Sequence, residues 1–343
     1  MRQRGITVAL GAVFVVLLTL LVGRAEVPYV ELVPGPTYDT LGKDDNNKDI
    51  IVLDGTSASR SAGQLRFLTV GVRPRLTLLQ AIVGWWRDSD AVVPRELIYG
   101  DQTEQQVEQH NVEVFAASES KATTAALARV GYPMKVTVKN VPANLGAEGK
   151  LKPGDVIATI DGVAMDSIDR YTFTVRKKPI GSTFALGVIR DGATSTISVP
   201  TVASPEDGQA IVGASMEEVS VAPFKINISV ENVGGPSAGL MLTLGIIDKV
   251  KPEDLTGGQI IAGTGEINGM GTVGPIGGVP QKLLGARAAG ATFFFTPADN
   301  CAEAVANDHA GLTLVQVRTA DDALAALEKI RAGAVPELCP GAS

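Results

Sequence analysis

The chain has 343 residues, of which 45% are hydrophobic and 20% are charged, which is enough for two or three domains with substantial cores. Its formal net charge is −7, without a block of lysines and arginines, and this excludes a typical nucleic-acid-binding surface. The two histidines and two cysteines show no spacing typical of a metal site. We therefore expect no nucleic-acid partner, no metal and no other cofactor.

Residues 6–23 form an uncharged apolar run that follows Arg2 and Arg4. At about 1.5 Å per residue this run is long enough to span a membrane, and the arginines favour a cytoplasmic N-terminus. The alternative is a cleaved signal peptide, because Gly23 and Ala25 are small residues at positions typical of cleavage. Both interpretations export the remaining chain. We expect an uncleaved single-pass anchor in the cell membrane and an extracytoplasmic body.

Residues 24–124 alternate between strand-like and helical patterns. The stretch VPYVELVPGPTYDTLG predicts short strands interrupted by proline and glycine. In RLTLLQAIVGWWRD the apolar spacing predicts a helix. We expect Trp85 and Trp86 on its core-facing edge, and a binding surface is the alternative. SESKATTAALARVG predicts a second helix that begins at a serine cap and ends at Gly131.

Residues 125–203 alternate β-branched residues with turn residues. The Asp-Gly pairs at 161–162 and 191–192 predict tight hairpins. The run LKPGDVIATIDG, residues 151–162, preceded by VPANLGAEG, resembles the PDZ domains of bacterial proteases. The resemblance implies that an extended peptide, often a C-terminal tail, binds as an added strand in a groove that starts near residues 131–136. A Gly-Leu-Gly-Phe loop is missing there, and a β-rich spacer without a ligand is the alternative.

FKINISV, residues 224–230, predicts a strand that leads into NVGGPSAGLMLTLGI. Ser237 lies there between glycines and the start of an apolar helix, and a plain helix start with Pro236 in the first turn is one interpretation. GPSAG also fits the Gly-x-Ser-x-Gly elbow of α/β-hydrolases, which requires an acid and then a histidine downstream. His309 is the sole downstream histidine, and the parallel strands of that fold are missing upstream.

Without a suitable histidine, a nucleophilic serine needs another base. A lysine can serve if burial lowers its pKa enough to make the neutral amine available. Lys282, in PIGGVPQKLLGARAAGA, opens a helix with apolar residues around it. Taken alone, a solvated helix residue is the simpler interpretation of this lysine.

The segments GGPSAGLMLTLGI, GTGEINGMGTVGPIGG and PIGGVPQKLLGARAAGA, followed by TPADN, together resemble the proteolytic domain of the Lon family over residues 224–331. The resemblance implies that Ser237 is the nucleophile and Lys282 its general base, with Thr264 supporting the lysine. The residues at the head of the following helix also predict an oxyanion loop that contains Gly235, Pro236 and Ala238. Gly234 departs from the family, since many Lon domains have an acidic residue at this position.

No G-x-x-x-x-G-K-[ST] motif for nucleotide binding is found in the sequence. The combination therefore resembles membrane-anchored bacterial proteases that join a PDZ domain to a Lon-type domain without the ATPase module. The predicted fold class is α+β, with an N-terminal transmembrane helix and a PDZ-like domain inserted into the proteolytic domain. The predicted parts are a cytoplasmic N-terminus at 1–5, an anchor at 6–23, the first half of the protease domain at 27–124, a PDZ domain at 125–203 and a Lon-type proteolytic domain at 205–343.

The predicted function is ATP-independent cleavage of extracytoplasmic proteins by a serine endopeptidase, with the PDZ domain recruiting or gating substrate. The predicted partners are protein or peptide substrates, including C-terminal tails, the membrane, and further copies of the chain in an oligomer, which the resemblance implies to be a hexamer. The non-enzymatic alternative is a membrane-tethered PDZ scaffold with a degenerate protease domain. The presence of both Ser237 and Lys282 weighs against that alternative. The sequence leaves open whether Cys301 and Cys339 form a disulfide.

Overall fold

The structure is a computed structural model that describes residues 10–11, 13, 22–44, 46–87, 89–230, 233–307 and 311–342. The predicted cytoplasmic N-terminus at 1–5 and most of the predicted anchor at 6–23 lie outside these residues. Within the described ranges, no helix combines the length and the apolar character needed to cross a bilayer. This finding overturns the predicted transmembrane helix and the predicted single-pass location with an extracytoplasmic body. The mixed α+β character of the predicted fold is confirmed.

The helices of the described ranges, in chain order, are α1 (Leu78–Trp85), α2 (Arg95–Tyr99), α3 (Glu104–Arg129), α4 (Ile168–Arg176), α5 (Gly239–Val250), α6 (Val279–Ala288), α7 (Cys301–Ala306) and α8 (Ala320–Arg331). The strands are β1 (Glu26–Val27), β2 (Tyr29–Asp39), β3 (Ile51–Asp54), β4 (Gln64–Arg73), β5 (Leu76–Thr77), β6 (Ala91–Pro94), β7 (Met134–Asn140), β8 (Val156–Ile160), β9 (Val163–Ala164), β10 (Thr183–Arg190), β11 (Ala193–Pro200), β12 (Val202–Ala203), β13 (Ala210–Ile211), β14 (Ser215–Ser220), β15 (Lys225–Ile228), β16 (Ile260–Gly263), β17 (Glu266–Ile267), β18 (Val273–Gly274), β19 (Phe293–Pro297) and β20 (Thr313–Val317).

The first sheet combines strands from both ends of the chain, in the order β20-β19-β16-β4-β2-β6. Strand β4 pairs in parallel with β16, with Gln64 opposite Ile260, and antiparallel with β2. The register of β2 shifts between Pro34 and Thr37, which is where proline cannot donate a ladder hydrogen bond. The predicted short strands of this region are therefore one long strand with an irregularity.

Helices cover both faces of this sheet. Alternate side chains of a strand point to opposite faces, so Phe295 of β19 packs in the cluster that contains α5, whereas Phe294 packs in the cluster that contains Leu283 of α6. Helix α5 is almost entirely apolar and almost entirely buried, between the sheet and α3. At Gly245 it lies so close to the end of β2 that an added Cβ would be 2.4 Å from the Thr40 Oγ1.

The second sheet has the order β11-β10-β8-β7-β14, with β9 beside β8, and α4 packs against it around its own apolar core. Both predicted Asp-Gly hairpins are confirmed. Asp161 and Gly162 have φ values of 50° and 82°, and Asp191 and Gly192 have φ values of 51° and 79°, as a two-residue hairpin turn of this kind requires. Helix α3 leads from the part of the chain that contains the first sheet into the second sheet. Strands β14 and β15 lead back to the first part.

The predicted start of the peptide groove at residues 131–136 is wrong in position. Strand β7 is covered on both sides, by β8 through Thr137 and by β14, whose Ser220 pairs with Met134. A further strand cannot pair there because the backbone groups are already used. The free edge of this sheet beside α4 is β14, which the sequence pattern did not assign to the sheet.

Two helix predictions also change. Helix α3 starts at Glu104, well before the predicted serine cap, because Thr103 and Gln106 form a capping box. Trp85 and Trp86 are 55% and 86% exposed, so the prediction that they face the core is wrong.

Cys301 and Cys339 form a disulfide, with their Cα atoms 5.2 Å apart. The bond joins the start of α7 to the C-terminal segment, which also pairs with the sheet where Leu338 meets Val315. The sequence left this pairing open, and the structure contains the disulfide.

Candidate active site

The loop that precedes α5 carries Ser237. Gly235 has φ of 83°, a left-handed conformation that favours glycine, and its N–H donates to the Asn111 carbonyl at 2.9 Å. The Ser118 hydroxyl donates to the Pro236 carbonyl at 3.1 Å. Helix α3 therefore holds this loop, which we call the serine loop (residues 233–238), at two points. Ser237 itself is half-buried and opens onto solvent-accessible space.

The main chain of Ser237 is fixed by the segment that follows β16. Its carbonyl accepts hydrogen bonds from the Gly265 N–H at 2.9 Å and from the Thr264 hydroxyl at 3.0 Å. The Leu240 N–H in turn donates to the Gly265 carbonyl at 3.1 Å. These bonds attach the first turn of α5 to the end of a central strand, so the serine has a rigid support.

Lys282 reaches the same place from the opposite face of the sheet. Its side chain on α6 is 3% exposed, and Nζ donates to the Thr264 Oγ1 at 3.1 Å. Burial lowers the pKa of Lys282 to about 8, against the opposing charges of Glu266 and Glu303. Thr264, which is fully buried, thus connects the lysine amine to the main chain of Ser237.

The start of α6 is held by a residue to which the sequence analysis gave no role. Asn300 accepts a hydrogen bond from the Ile276 N–H and donates one to the Ile276 carbonyl, each at 2.9 Å. Gly278, with φ of 71°, then turns the chain into the helix of Lys282. Asn300 lies in the quoted TPADN stretch, but no pattern in the sequence shows that it bonds to a segment 24 residues earlier.

A cleft of about 1070 Å³ opens above Ser237 and Lys282, and we call it the active-site cleft. One wall is β4 beyond Phe67. On that side β4 pairs with β16 only up to Phe67, so the stretch from Leu68 onwards has no strand partner there among the described residues. The opposite wall is one face of α3. From α3 the cleft is lined by Glu104, Val107, Glu108, Asn111, Val112, Phe115, Ala116 and Glu119.

The predicted site residues lie together. Gly235, Pro236, Ser237, Ala238 and Lys282 all line the cleft, and Thr264 is buried beneath it. Among the residues of the predicted oxyanion loop, Pro236 has no N–H, and the Gly235 N–H already donates to the Asn111 carbonyl. The amides of Ser237 and Ala238, at the head of α5, have no backbone acceptor among the described residues.

Glu119 is a cleft residue that the sequence analysis missed. It is half-buried, and burial raises the pKa of its carboxyl to about 7. The residues of α3 that line the cleft, from Glu104 to Glu119, recur in the sequence at spacings of three and four, as residues on one face of a helix do. The abundance of polar residues in EQQVEQHNVEVF concealed the helix that carries this stripe.

His309, on which the α/β-hydrolase interpretation depends, lies outside the described residues. Among the described residues, no group of histidine, cysteine, aspartate and glutamate side chains is suited to hold a metal ion.

Two family models match the chain. Residues 231–328 match the Lon protease (S16) C-terminal proteolytic domain, and residues 105–201 match the PDZ domain. The region that matches the Lon model contains the serine loop, Thr264 and Lys282. These matches confirm the predicted PDZ and Lon proteolytic domains, and they support the predicted enzyme class, a serine endopeptidase.

Relatives of the chain include Lon protease 1 of Sorangium cellulosum (strain So ce56), 38% identical over 100 residues that make up 28% of this chain and 12% of the relative. Lon protease 1 of Bacillus subtilis (strain 168) is 28% identical over 209 residues, 54% of this chain and 25% of the relative. The chain thus spans a quarter or less of these relatives. The solved PDZ domain of an SdrC-like protein from Listeria monocytogenes is 23% identical and covers 24% of this chain and 86% of its own, with a TM-score of 0.23.

Proposed function

We propose that this chain is an endopeptidase in which Ser237 is the nucleophile and Lys282 the general base. The observation that carries the proposal is the buried lysine, whose amine is linked through Thr264 to the main chain of Ser237. An amine with a pKa of about 8 is partly neutral near pH 7, so it can accept a proton, which an ordinary lysine cannot do efficiently. We further propose that this cleavage needs no ATP, because the proton and acyl transfers of the reaction consume no nucleotide.

In the proposed reaction the substrate lies extended in the active-site cleft along the open edge of β4, from Leu68 to Val72. Neutral Lys282 takes the proton of the Ser237 hydroxyl as its Oγ attacks the scissile carbonyl carbon. The amides of Ser237 and Ala238 donate to the resulting oxyanion, and the N-terminal end of the α5 dipole also favours negative charge there.

The protonated Lys282 then gives its proton to the leaving amine as the C–N bond breaks, which leaves an ester between the substrate and Ser237. Water attacks this ester after losing a proton to the neutral lysine. The lysine then reprotonates the Ser237 oxygen, and a carboxylic acid product leaves. The role of Thr264 in this scheme is to position the amine, since its hydroxyl accepts from Lys282 and donates to the Ser237 carbonyl.

The PDZ-like body is proposed to recruit substrate through a different surface. An apolar groove of about 210 Å³ lies between α4 and the segment that leads into β14, and it is lined by Tyr171 and Val175 on one side and Ile211 and Met216 on the other. An extended tail can pair with the free edge of β14 and place alternate side chains in this groove. Peptide or protein substrates are the partners that such a groove fits. Assembly into a hexamer and the domain limits at 124, 203 and 205 stay predictions.

The test is peptide cleavage by the full chain and by variants at single positions. Ser237→Ala and Lys282→Ala should abolish cleavage and leave the circular dichroism spectrum unchanged. Matched controls are Ser120→Ala and Lys329→Ala, exposed residues away from the cleft, which should retain activity. Loss of activity in His309→Ala alone would favour the hydrolase elbow, and absence of cleavage by every form would favour the scaffold.

A further inference from the structure

Helix α3 carries one particular carboxylate into the cleft that contains Ser237. Its contacts with the serine loop, through Asn111 and Ser118, are seven residues apart, so they lie two turns apart on one face of the helix. Glu119 directly follows Ser118 and lines the same cleft as Ser237 and Lys282. Glu119 therefore lies one residue along α3 from the point where this helix contacts the residue that precedes Ser237.

The ionisable residues that line the cleft are mostly acidic. Its described lining residues include four carboxylates, on Glu104, Glu108, Glu119 and Glu266, and a single cation, the buried Lys282. Glu104 is neutralised in part by Arg95, with an N–O distance of 3.1 Å. The remaining carboxylates face the space that an extended substrate would occupy, so the field there favours positive charge.

Glu119 differs from the other carboxylates of α3 because it is half-buried without a partner. Among the described residues it forms no ion pair and no side-chain hydrogen bond, and burial raises its pKa to about 7. An unpaired carboxylate in such a place is destabilised relative to water, and an incoming cation removes that cost. Substrate binding displaces the remaining water and strengthens the attraction.

We propose that Glu119 is a specificity-determining residue that selects peptides with a lysine or arginine side chain next to the scissile bond. The inference rests on the proposed function, since it assumes that the cleft binds the peptide to be cut. A peptide extended along β4 points alternate side chains in opposite directions, and one set of them points across the cleft toward α3. A long cationic side chain in that set meets Glu119.

The experiment compares two fluorogenic peptides that differ at one residue beside the scissile bond, lysine in one and norleucine in the other. Norleucine has a similar length and no charge. The full chain should cleave the lysine peptide with about tenfold higher kcat/KM, equal to about 1.4 kcal/mol, mainly through a lower KM. Glu119→Gln should remove this preference, so that the two peptides are cleaved with equal kcat/KM.

Glu113→Gln is the matched control, because Glu113 lies on the same helix and lines a separate surface depression with Thr103 and His110. This variant should keep the preference. Salt gives a second measurement on the unaltered chain: added NaCl should raise KM for the lysine peptide and leave KM for the norleucine peptide nearly constant.

The outcomes separate the two proposals. Cleavage of both peptides at equal kcat/KM by the full chain would overturn the specificity of Glu119 and leave the endopeptidase intact. A preference for lysine that persists in Glu119→Gln would overturn it as well. Failure of the full chain to cleave either peptide, together with every other peptide offered, would instead overturn the proposed function.

Discussion

Raising the pH from 7 to 9 should increase kcat/KM for peptide cleavage, because the neutral form of Lys282 is the form that accepts the proton of Ser237. With a pKa of about 8, about one tenth of the amine is neutral at pH 7 and about nine tenths at pH 9. The expected increase is therefore about tenfold, with its midpoint near pH 8. An ordinary lysine with pKa 10.5 would be neutral about 300 times less often at pH 7.

The assay measures initial rates from pH 6 to 10 with a peptide that has no ionisable group, at a concentration well below KM. Such a peptide avoids the effect of Glu119, which titrates in the same cleft with a pKa of about 7. Thermal unfolding over the same range verifies that the protein stays folded. A profile that is flat, or that rises near pH 6.5 and loses this rise in His309→Ala, would refute the assignment of the base.

Thr264→Val tests the same assignment of Lys282 as the base, because it should move the midpoint of the pH profile in one direction. The Thr264 Oγ1 accepts a hydrogen bond from Lys282, and an acceptor stabilises the charged ammonium more than the neutral amine. Thr264→Val should therefore lower the midpoint of the profile by about one pH unit, and it should also lower kcat because the amine is held less firmly. An unchanged midpoint would contradict the role given to Thr264.

Three predictions concern the free energy of unfolding, measured by urea denaturation. Lys282→Met should stabilise the protein by about 1–3 kcal/mol at pH 7, because folding lowers the pKa of Lys282 from 10.5 and so disfavours its ammonium form. This gain in stability should shrink above pH 8 and vanish above pH 10.5. Asp248→Asn should stabilise the protein by about 1 kcal/mol at pH 7, because Asp248 is fully buried, one of its carboxylate oxygens has no partner and its pKa is raised. This gain in stability should fall at lower pH, where Asp248 of the unaltered protein becomes protonated. Gly245→Ala should destabilise by about 1–3 kcal/mol although alanine favours helices, because its Cβ would lie 2.4 Å from the Thr40 Oγ1; a gain in stability would contradict the close approach.

Local patterns predicted the elements whose stability is local. The Asp191-Gly192 hairpin, the apolar helix after Ser237 and the helix of Lys282 all appear where the sequence indicates them. Turn chemistry and helical spacing act over a few residues, so a short window contains the necessary information.

Pairings between distant segments could not be read in the same way. Nothing in the sequence near Ser220 indicates that it pairs with Met134, and the resulting strand removes the edge that the sequence analysis assigned to a peptide. The pairing of Asn300 with Ile276 and the placement of Glu119 opposite β4 are likewise set by the assembled fold. The resemblance to known domains could place Ser237 and Lys282 together, but it carried no information on which other side chains of this chain enter the cleft.

The central sheet also has a consequence for synthesis on the ribosome. Gln64 of β4 pairs with Ile260 of β16, so the middle of the sheet joins segments made about 200 residues apart, which at ordinary elongation rates is a delay of about 10–40 s. During that interval the strands from β7 to β14 are synthesised completely, whereas the edge of β4 that pairs with β16 has no partner yet. We therefore expect that edge of β4 to be open to pairing with other strands until β16 has emerged from the ribosome.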